Sequence, residues 1–175
     1  DWSSDVCSSD LYKPWEEPNQ HRTRAEKEGD PAVIQKGRAP SKITIVNNLR
    51  HELDQWRSHD YVGASETTRE LLNHWFLRDH LLTNGEGIPQ DFRYYFCQRE
   101  AIEAFIYLME VRQKRSLSAL VAEFGGENAE TAALGITETE DLWPRFAFRV
   151  ATGAGKTKIM SLAIVWSYFH ALRES

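Results

Sequence analysis

The residues whose types and spacing are best suited to chemistry run Val150-Ala151-Thr152-Gly153-Ala154-Gly155-Lys156-Thr157. Holding a string of phosphates takes several backbone N–H groups aimed into one small concavity. Glycine permits the backbone angles and the close approach that a side chain would block. A helix opening at Thr157 would add its first free N–H groups and the positive end of its dipole. In that arrangement Thr152, Gly153, Ala154 and Gly155 form the cradle. Lys156 reaches the distal phosphates, and the Thr157 hydroxyl completes a Mg2+ shell. The competing account is an ordinary glycine turn between two elements; the Gly-x-Gly-Lys-Thr order, with an alternating stretch before it and an apolar helix after it, counts against that.

The general phosphate-loop pattern places a glycine where Val150 stands. With that departure, Val-Ala-Thr-Gly-Ala-Gly-Lys-Thr resembles motif I of superfamily-2 helicases and translocases, where a non-glycine residue commonly takes this place. A second segment lies upstream: Arg93-Tyr94-Tyr95-Phe96-Cys97-Gln98-Arg99-Glu100-Ala101-Ile102. Taken alone, Gln98 reads as an exposed polar residue on an amphipathic helix. Upstream of a motif I it resembles the glutamine whose carboxamide reads the adenine edge as donor and acceptor together. Phe96 or Tyr95 could stack on a base, although core packing is the first expectation for either.

Together with Glu16-Glu17-Pro18 ahead of His21, and Gly37-Arg38 followed by Pro40, these runs give the chain a resemblance to a known group. It resembles the N-terminal part of bacterial DEAD/DEAH-box (superfamily-2) helicase-family proteins related to type III restriction endonuclease Res subunits. The resemblance spans most of residues 12–175, but its specific motifs are the phosphate loop and the glutamine run. It implies an ATP-driven DNA translocase with two RecA-like domains and often a nuclease domain. ATP and Mg2+ are the implied cofactors, bound by Gln98, Thr152, Gly153, Ala154, Gly155, Lys156 and Thr157. Lys156 is the implied catalytic cation on the transferred phosphoryl group, and Thr157 the metal ligand. DNA is the implied partner of the full-length protein, with a modification or specificity subunit beside it. The family's acidic DEAH-type box, arginine finger and nuclease carboxylates are not found in these residues. The expectation is therefore a fragment, inactive alone, that at most binds nucleotide weakly.

The elements that must position these residues follow from periodicity. Residues 1–11 read DWSSDVCSSDL, repeat Ser-Ser-Asp, and are similar to one reading frame of a sequencing adapter. They are read as a translated assembly scar, so Cys7 carries no meaning. Residues 12–42, with Pro14, Pro18, Pro31 and Pro40 among charges, read as an extended arm. A helical region is expected over 43–113. Val46, Leu49, Leu53 and Trp56 mark one helix, and Ser65 caps a second that carries Leu71, Leu72, Trp75 and Phe76, with Gly63 in the turn between. A third helix opens near Tyr95 or Phe96. It should bury Ile102, Phe105, Ile106 and Met109 and turn Arg99, Glu100, Glu103, Glu110 and Arg112 outward. Residues 114–143 read as an insertion holding one helix from Leu117 to Phe124, broken at Gly125-Gly126. Residues 144–175 then supply a strand through Phe146, Phe148 and Val150, the loop, and an apolar helix from Thr157 to about Leu172. The expected class is α/β: a helical N-terminal region leading into the start of a RecA-like P-loop NTPase domain.

Composition sets the outer limits. The 175 residues are 41% hydrophobic and 27% charged, an ordinary globular balance that argues against a disordered or collagen-like chain. The formal charge is −5, and without Asp1, Asp5 and Asp10 the remainder is near neutral, which argues against a uniformly basic nucleic-acid coat. Two cysteines, Cys7 and Cys97, make no disulfide framework, and a reducing, cytoplasmic setting fits. Ser161, Ser167 and His170 interrupt the last helix, against a membrane span. His51-Glu52 lacks the second histidine of a zincin face because Gln55 stands there. Cys97 reads as buried packing. Two readings stay open beside the helicase one: a different P-loop NTPase, and a non-enzymatic helical module over 43–113 that docks DNA through Arg50, Arg57, Arg69 and Arg78. Glu52, Asp54, Glu66, Glu70 and Asp79 between those arginines favour a solvated face instead.

Overall fold

The computed structural model describes residues 13–23, 33–128, 146–148 and 150–174; residues 1–11, and with them Cys7, lie outside these, as do the insertion beyond 128 and Arg149. Helix α1 (Thr44–Ser58) buries Leu53 and Trp56, with Ile45 and Leu49 packed against the same core, so its apolar positions recur every three or four residues. It ends in a turn through Asp60 and Tyr61, at φ 52° and 55°, and Gly63 at 86°. Left-handed backbone costs a non-glycine residue about 1–2 kcal/mol. Full burial of the Tyr61 ring, stacked edge-on to Trp56 at 4.9 Å, offsets it. Ser65 then caps helix α2 (Glu66–Leu77), its hydroxyl accepting the Thr68 N–H at 3.2 Å as its sequence position predicts.

Helix α3 (Phe96–Ile106) runs on as a π-helical turn, Tyr107–Val111, and is the central element. It packs against α1 and against the last helix, α5 (Lys156–Arg173), which also touches α2. Helix α4 (Leu117–Phe124), capped by Ser116, closes the far side of α1 through Val121 and Phe124, and the Asn48 side-chain amide donates to the Phe124 carbonyl at 2.8 Å. Leu53, Trp56, Leu72, Ile102, Ile106, Leu162 and Trp166 make one continuous core. Two short antiparallel sheets complete the described residues. Strands β1 (Gln20–Arg22) and β2 (Ile34–Lys36) pair His21 with Gln35; strands β3 (His80–Thr83) and β4 (Pro89–Phe92) pair Leu81 with Asp91. Among the described residues the fold is thus a mixed one, five α-helices with two two-stranded sheets.

Three expectations need correction. Phe146, Phe148 and Val150 are not in a strand. An extended segment needs a neighbour to take its backbone hydrogen bonds, and among the described residues none pairs with it; the rings of Phe146 and Phe148 instead meet Phe105 edge-on at 5.6 and 5.9 Å. Glu103 does not face outward. It is wholly buried, its oxygens accepting from Arg57 at 2.7 Å, Arg99 at 2.8 Å and the Tyr61 hydroxyl at 2.7 Å. Removing one member of such a set would leave buried charge uncompensated, at about 3–5 kcal/mol. Cys97 is exposed, in the first turn of α3. Within the expected arm over 12–42 lie the paired strands β1 and β2, and the segment is held to α3: the Phe96 N–H donates to the Pro14 carbonyl at 2.7 Å, and Arg38 forms a two-pronged pair with Glu100.

Candidate functional site

Residues 151–155 form a turn, with Ala154 N–H donating to the Ala151 carbonyl at 3.2 Å, and α5 begins at Lys156. Gly153 and Gly155 sit at φ 83° and 76°, the left-handed backbone that glycine adopts without strain. Gly155 is also required sterically: a Cβ there would stand 2.3 Å from the Gln98 amide nitrogen. That contact is the junction of the site. Gln98, 56 residues from Ala154 in sequence, donates from Nε2 to the Ala154 carbonyl at 2.9 Å and accepts the Tyr95 N–H on Oε1 at 3.1 Å. The second bond is the N-terminal cap of α3, in which a glutamine three residues into the helix reaches back to the preceding N–H. Gln98 is therefore buried, not on a solvated face. Each bond uses one of the amide's two donors or two lone pairs, so one donor and one acceptor remain for a further partner.

Beside this junction lies a cleft of about 600 Å³ lined by Trp15, Asp91, Phe92, Arg93, Tyr95, Gln98, Gly153, Gly155 and Lys158; its volume is in the usual range for a small-molecule site. Lys156 points elsewhere, its ammonium donating to the Ala151 carbonyl at 3.1 Å, and Thr152 and Thr157 are exposed. The structure thus brings Gln98 to Gly153, Ala154 and Gly155, while Lys156 is not among the residues lining the cleft. Among the described residues no group of three or more His, Cys, Asp or Glu side chains is placed to hold a metal ion. A Mg2+ here would rest on the Thr157 hydroxyl and on phosphate oxygens, the usual habit of that ion, which takes few protein ligands. The left-handed glycines, the Gln98 amide and the cleft thus adjoin one another at this loop.

Phe92, Lys158 and Trp15 escape the sequence reading. Phe92 ends β4, in a hairpin whose strands lack alternation; the available signal was Asn84-Gly85, a strong hairpin-turn pair, with Asn84 Oδ1 accepting the Glu86 and Ile88 N–H groups at 3.0 and 2.9 Å. Phe96 is buried under the guanidinium groups of Arg38 and Arg57, each 5.3 Å from its ring centre, whereas Tyr95 is 40% exposed. Of the arginines considered for DNA docking, Arg57 is committed to Glu103 and Asp54, and Arg50 lies 3.8 Å from Glu100. Burial alone would lower the Arg57 pKa, but the hydrogen bonds and charge of Glu103 raise it above its ordinary value. Among the described residues no helix is long and apolar enough to cross a membrane.

Comparison with protein-family models, curated proteins and solved structures finds no match to this chain.

Proposed function

We propose that the chain binds ATP with Mg2+ through the loop 151–157 and Gln98. On this reading it is the nucleotide-binding part of a superfamily-2 DNA helicase or translocase of a restriction-type system, in a domain of RecA-like type. The observation that carries the proposal is the seating of the Gln98 carboxamide on the Ala154 carbonyl at 2.9 Å, beside a cleft of nucleotide size. Two motifs far apart in sequence meet where a base and its phosphates would be held together. Gln98 reads the base with its remaining donor and acceptor, the loop amides and the α5 N-terminus hold the phosphates, and Lys156 swings from Ala151 to the distal phosphate charge. Thr157 holds the metal, whose chemistry is to neutralise developing charge on the phosphoryl oxygens.

Equilibrium titration of the chain with ATP and GTP in the presence of Mg2+ tests this. Wild type should prefer ATP, Lys156→Ala should lose most ATP affinity while staying folded, and Gln98→Ala should erase the ATP-over-GTP preference. Equal affinity of wild type and Lys156→Ala for ATP would sink the reading. For the full-length protein, Lys156→Ala should abolish DNA-stimulated ATP turnover.

A further inference from the structure

The hairpin of β3 and β4 carries an unguarded strand edge. Asn84 N–H donates to the Ile88 carbonyl at 3.0 Å, and in the register that pairs Leu82 with Gln90 and His80 with Phe92 this makes 84–88, 82–90 and 80–92 the hydrogen-bonded pairs. Such pairs alternate with open ones along an antiparallel ladder. Leu81 and Thr83 therefore turn their N–H and C=O groups away from β4, and Pro89 and Asp91 turn theirs away from β3. The two edges differ. On β4, Pro89 has no N–H to offer and Asp91 sets a charge, both common means of blunting an edge. On β3 both outward residues have complete peptide groups, and among the described residues the strand bonded to it is β4 alone. Leu81 and Leu82 are 67% and 48% exposed. The base of the hairpin is fixed to α2: His80 Nε2 donates to the His74 carbonyl at 2.8 Å, and Tyr94 meets Phe76 edge-on at 5.7 Å.

We propose that the β3 edge pairs with β3 of a second copy of this chain, antiparallel about a two-fold axis, joining the two hairpins into one sheet. The strand is self-complementary in one register. Setting Leu81 opposite the other copy's Thr83 gives every outward N–H and C=O of both strands a partner. It also brings the Leu82 side chains of the two copies side by side across the axis, in the open kind of pair where side chains come closest. The same register carries Arg78, just before β3, level with Glu86 in the turn of the other hairpin. Both are exposed. Neither forms an ion pair among the described residues; Asp79, next to Arg78, lies 3.6 Å from Arg93 instead. A two-fold axis repeats every contact, so each dimer carries this opposite-charge pair twice. That match of charge with the pairing of the edge singles out a second copy over an unrelated strand.

Sedimentation equilibrium of the full chain tests this, in an Ile164→Lys, Tyr168→Lys background that charges the exposed apolar side of α5. The mass should rise reversibly with concentration to that of a dimer. Leu81→Pro removes an outward N–H while sparing the β3–β4 bonds, and should keep the chain monomeric where the parent dimerises. Arg78→Glu and Glu86→Arg should each weaken the dimer about tenfold at low salt, because each turns both attractive pairs repulsive, and neither should move the unfolding midpoint. The double reversal should restore the parent dissociation constant. An equimolar mixture of the two single variants should form a mixed dimer as tight as the parent. Should Leu81→Pro shift the unfolding midpoint, the charge reversals carry the test alone. A chain monomeric at every concentration would overturn the self-pairing and leave the edge to a strand of different sequence. Single reversals that mixing does not rescue, or a dimer that a folded Leu81→Pro variant keeps, would overturn it as well. Nucleotide is absent throughout, so these outcomes stand apart from those of the loop 151–157.

Discussion

Gly155 carries two separate constraints, and they can be measured apart. Its left-handed backbone would cost an alanine about 1–2 kcal/mol, and the added Cβ would also push away the Gln98 amide, 2.3 Å distant, breaking the bond to Ala154. Gly155→Ala should therefore lower both stability and ATP affinity. In a Gln98→Ala background the same change should cost only the backbone share, so denaturant titration of the four variants should show less than additive losses. Strict additivity would mean that the loop does not depend on Gln98. Tyr107 gives a pH prediction. Burial, followed by its hydrogen bond to Glu52 at 2.7 Å, pushes its hydroxyl from an ordinary value near 10 up to about 12. Between those values the unfolded chain has released the proton and the folded one retains it, so folding stability falls as pH rises. The Tyr107 contribution is complete below pH about 10 and is lost as pH climbs through about 12. Unfolding free energies at pH 9 to 12 should fall less steeply in Tyr107→Phe than in wild type.

At the scale of elements, the helix that follows the loop is held by other helices. Trp166 on α5 donates from its indole to the Thr68 hydroxyl at 2.8 Å, and Thr68 in turn donates to Glu110 at 2.5 Å, which joins α2, the π turn after α3 and α5 in one polar chain. The loop 151–155 is thus anchored at its exit by the helical region. Trp166→Phe keeps an aromatic ring, smaller than the indole, and removes one buried hydrogen bond, at about 1 kcal/mol for that bond. Trp166→Ala empties the contact with Phe105, 5.5 Å away, at about 3–5 kcal/mol. Thermal melts should separate the two variants by several degrees, and only the alanine variant should also lose ATP affinity beyond that of wild type at the same folded fraction. Equal affinities would detach the anchoring of α5 from the site.

At the scale of the molecule, α5 is two-faced. Ile159, Leu162 and Trp166 are buried, while Met160, Ile164, Tyr168 and Leu172 are 59–66% exposed and repeat every four residues along the opposite side. A continuous apolar stripe of this kind drives association. Light scattering should rise with protein concentration, and Ile164→Lys with Tyr168→Lys should suppress it without shifting the unfolding midpoint, because neither residue belongs to the core. Unchanged scattering in the double variant would place the association elsewhere.

Local pattern alone determined a good part of this protein. The apolar spacing that defines α1, the Ser65 cap of α2, the helix from Leu117 to Phe124, the glycine break after it and the helix leaving the loop 151–155 are all short-range features, readable because capping and periodicity act over a few residues. The residue types of the loop, and Gln98 upstream of it, were equally legible. Only the tertiary structure decided what depends on a partner distant in sequence. A carboxylate at Glu103 has the spacing of a surface position, yet Arg57, Arg99 and Tyr61 come from across the core to neutralise and bury it. The alternation of Phe146, Phe148 and Val150 suits a strand, but a strand exists only with a neighbour to share its hydrogen bonds, and here aromatic packing on Phe105 takes the rings instead. The meeting of Gln98 with Ala154, and of Lys158 with Phe92, likewise joins segments whose separation along the chain hides them from any local reading, because such contacts are set by how the helices pack.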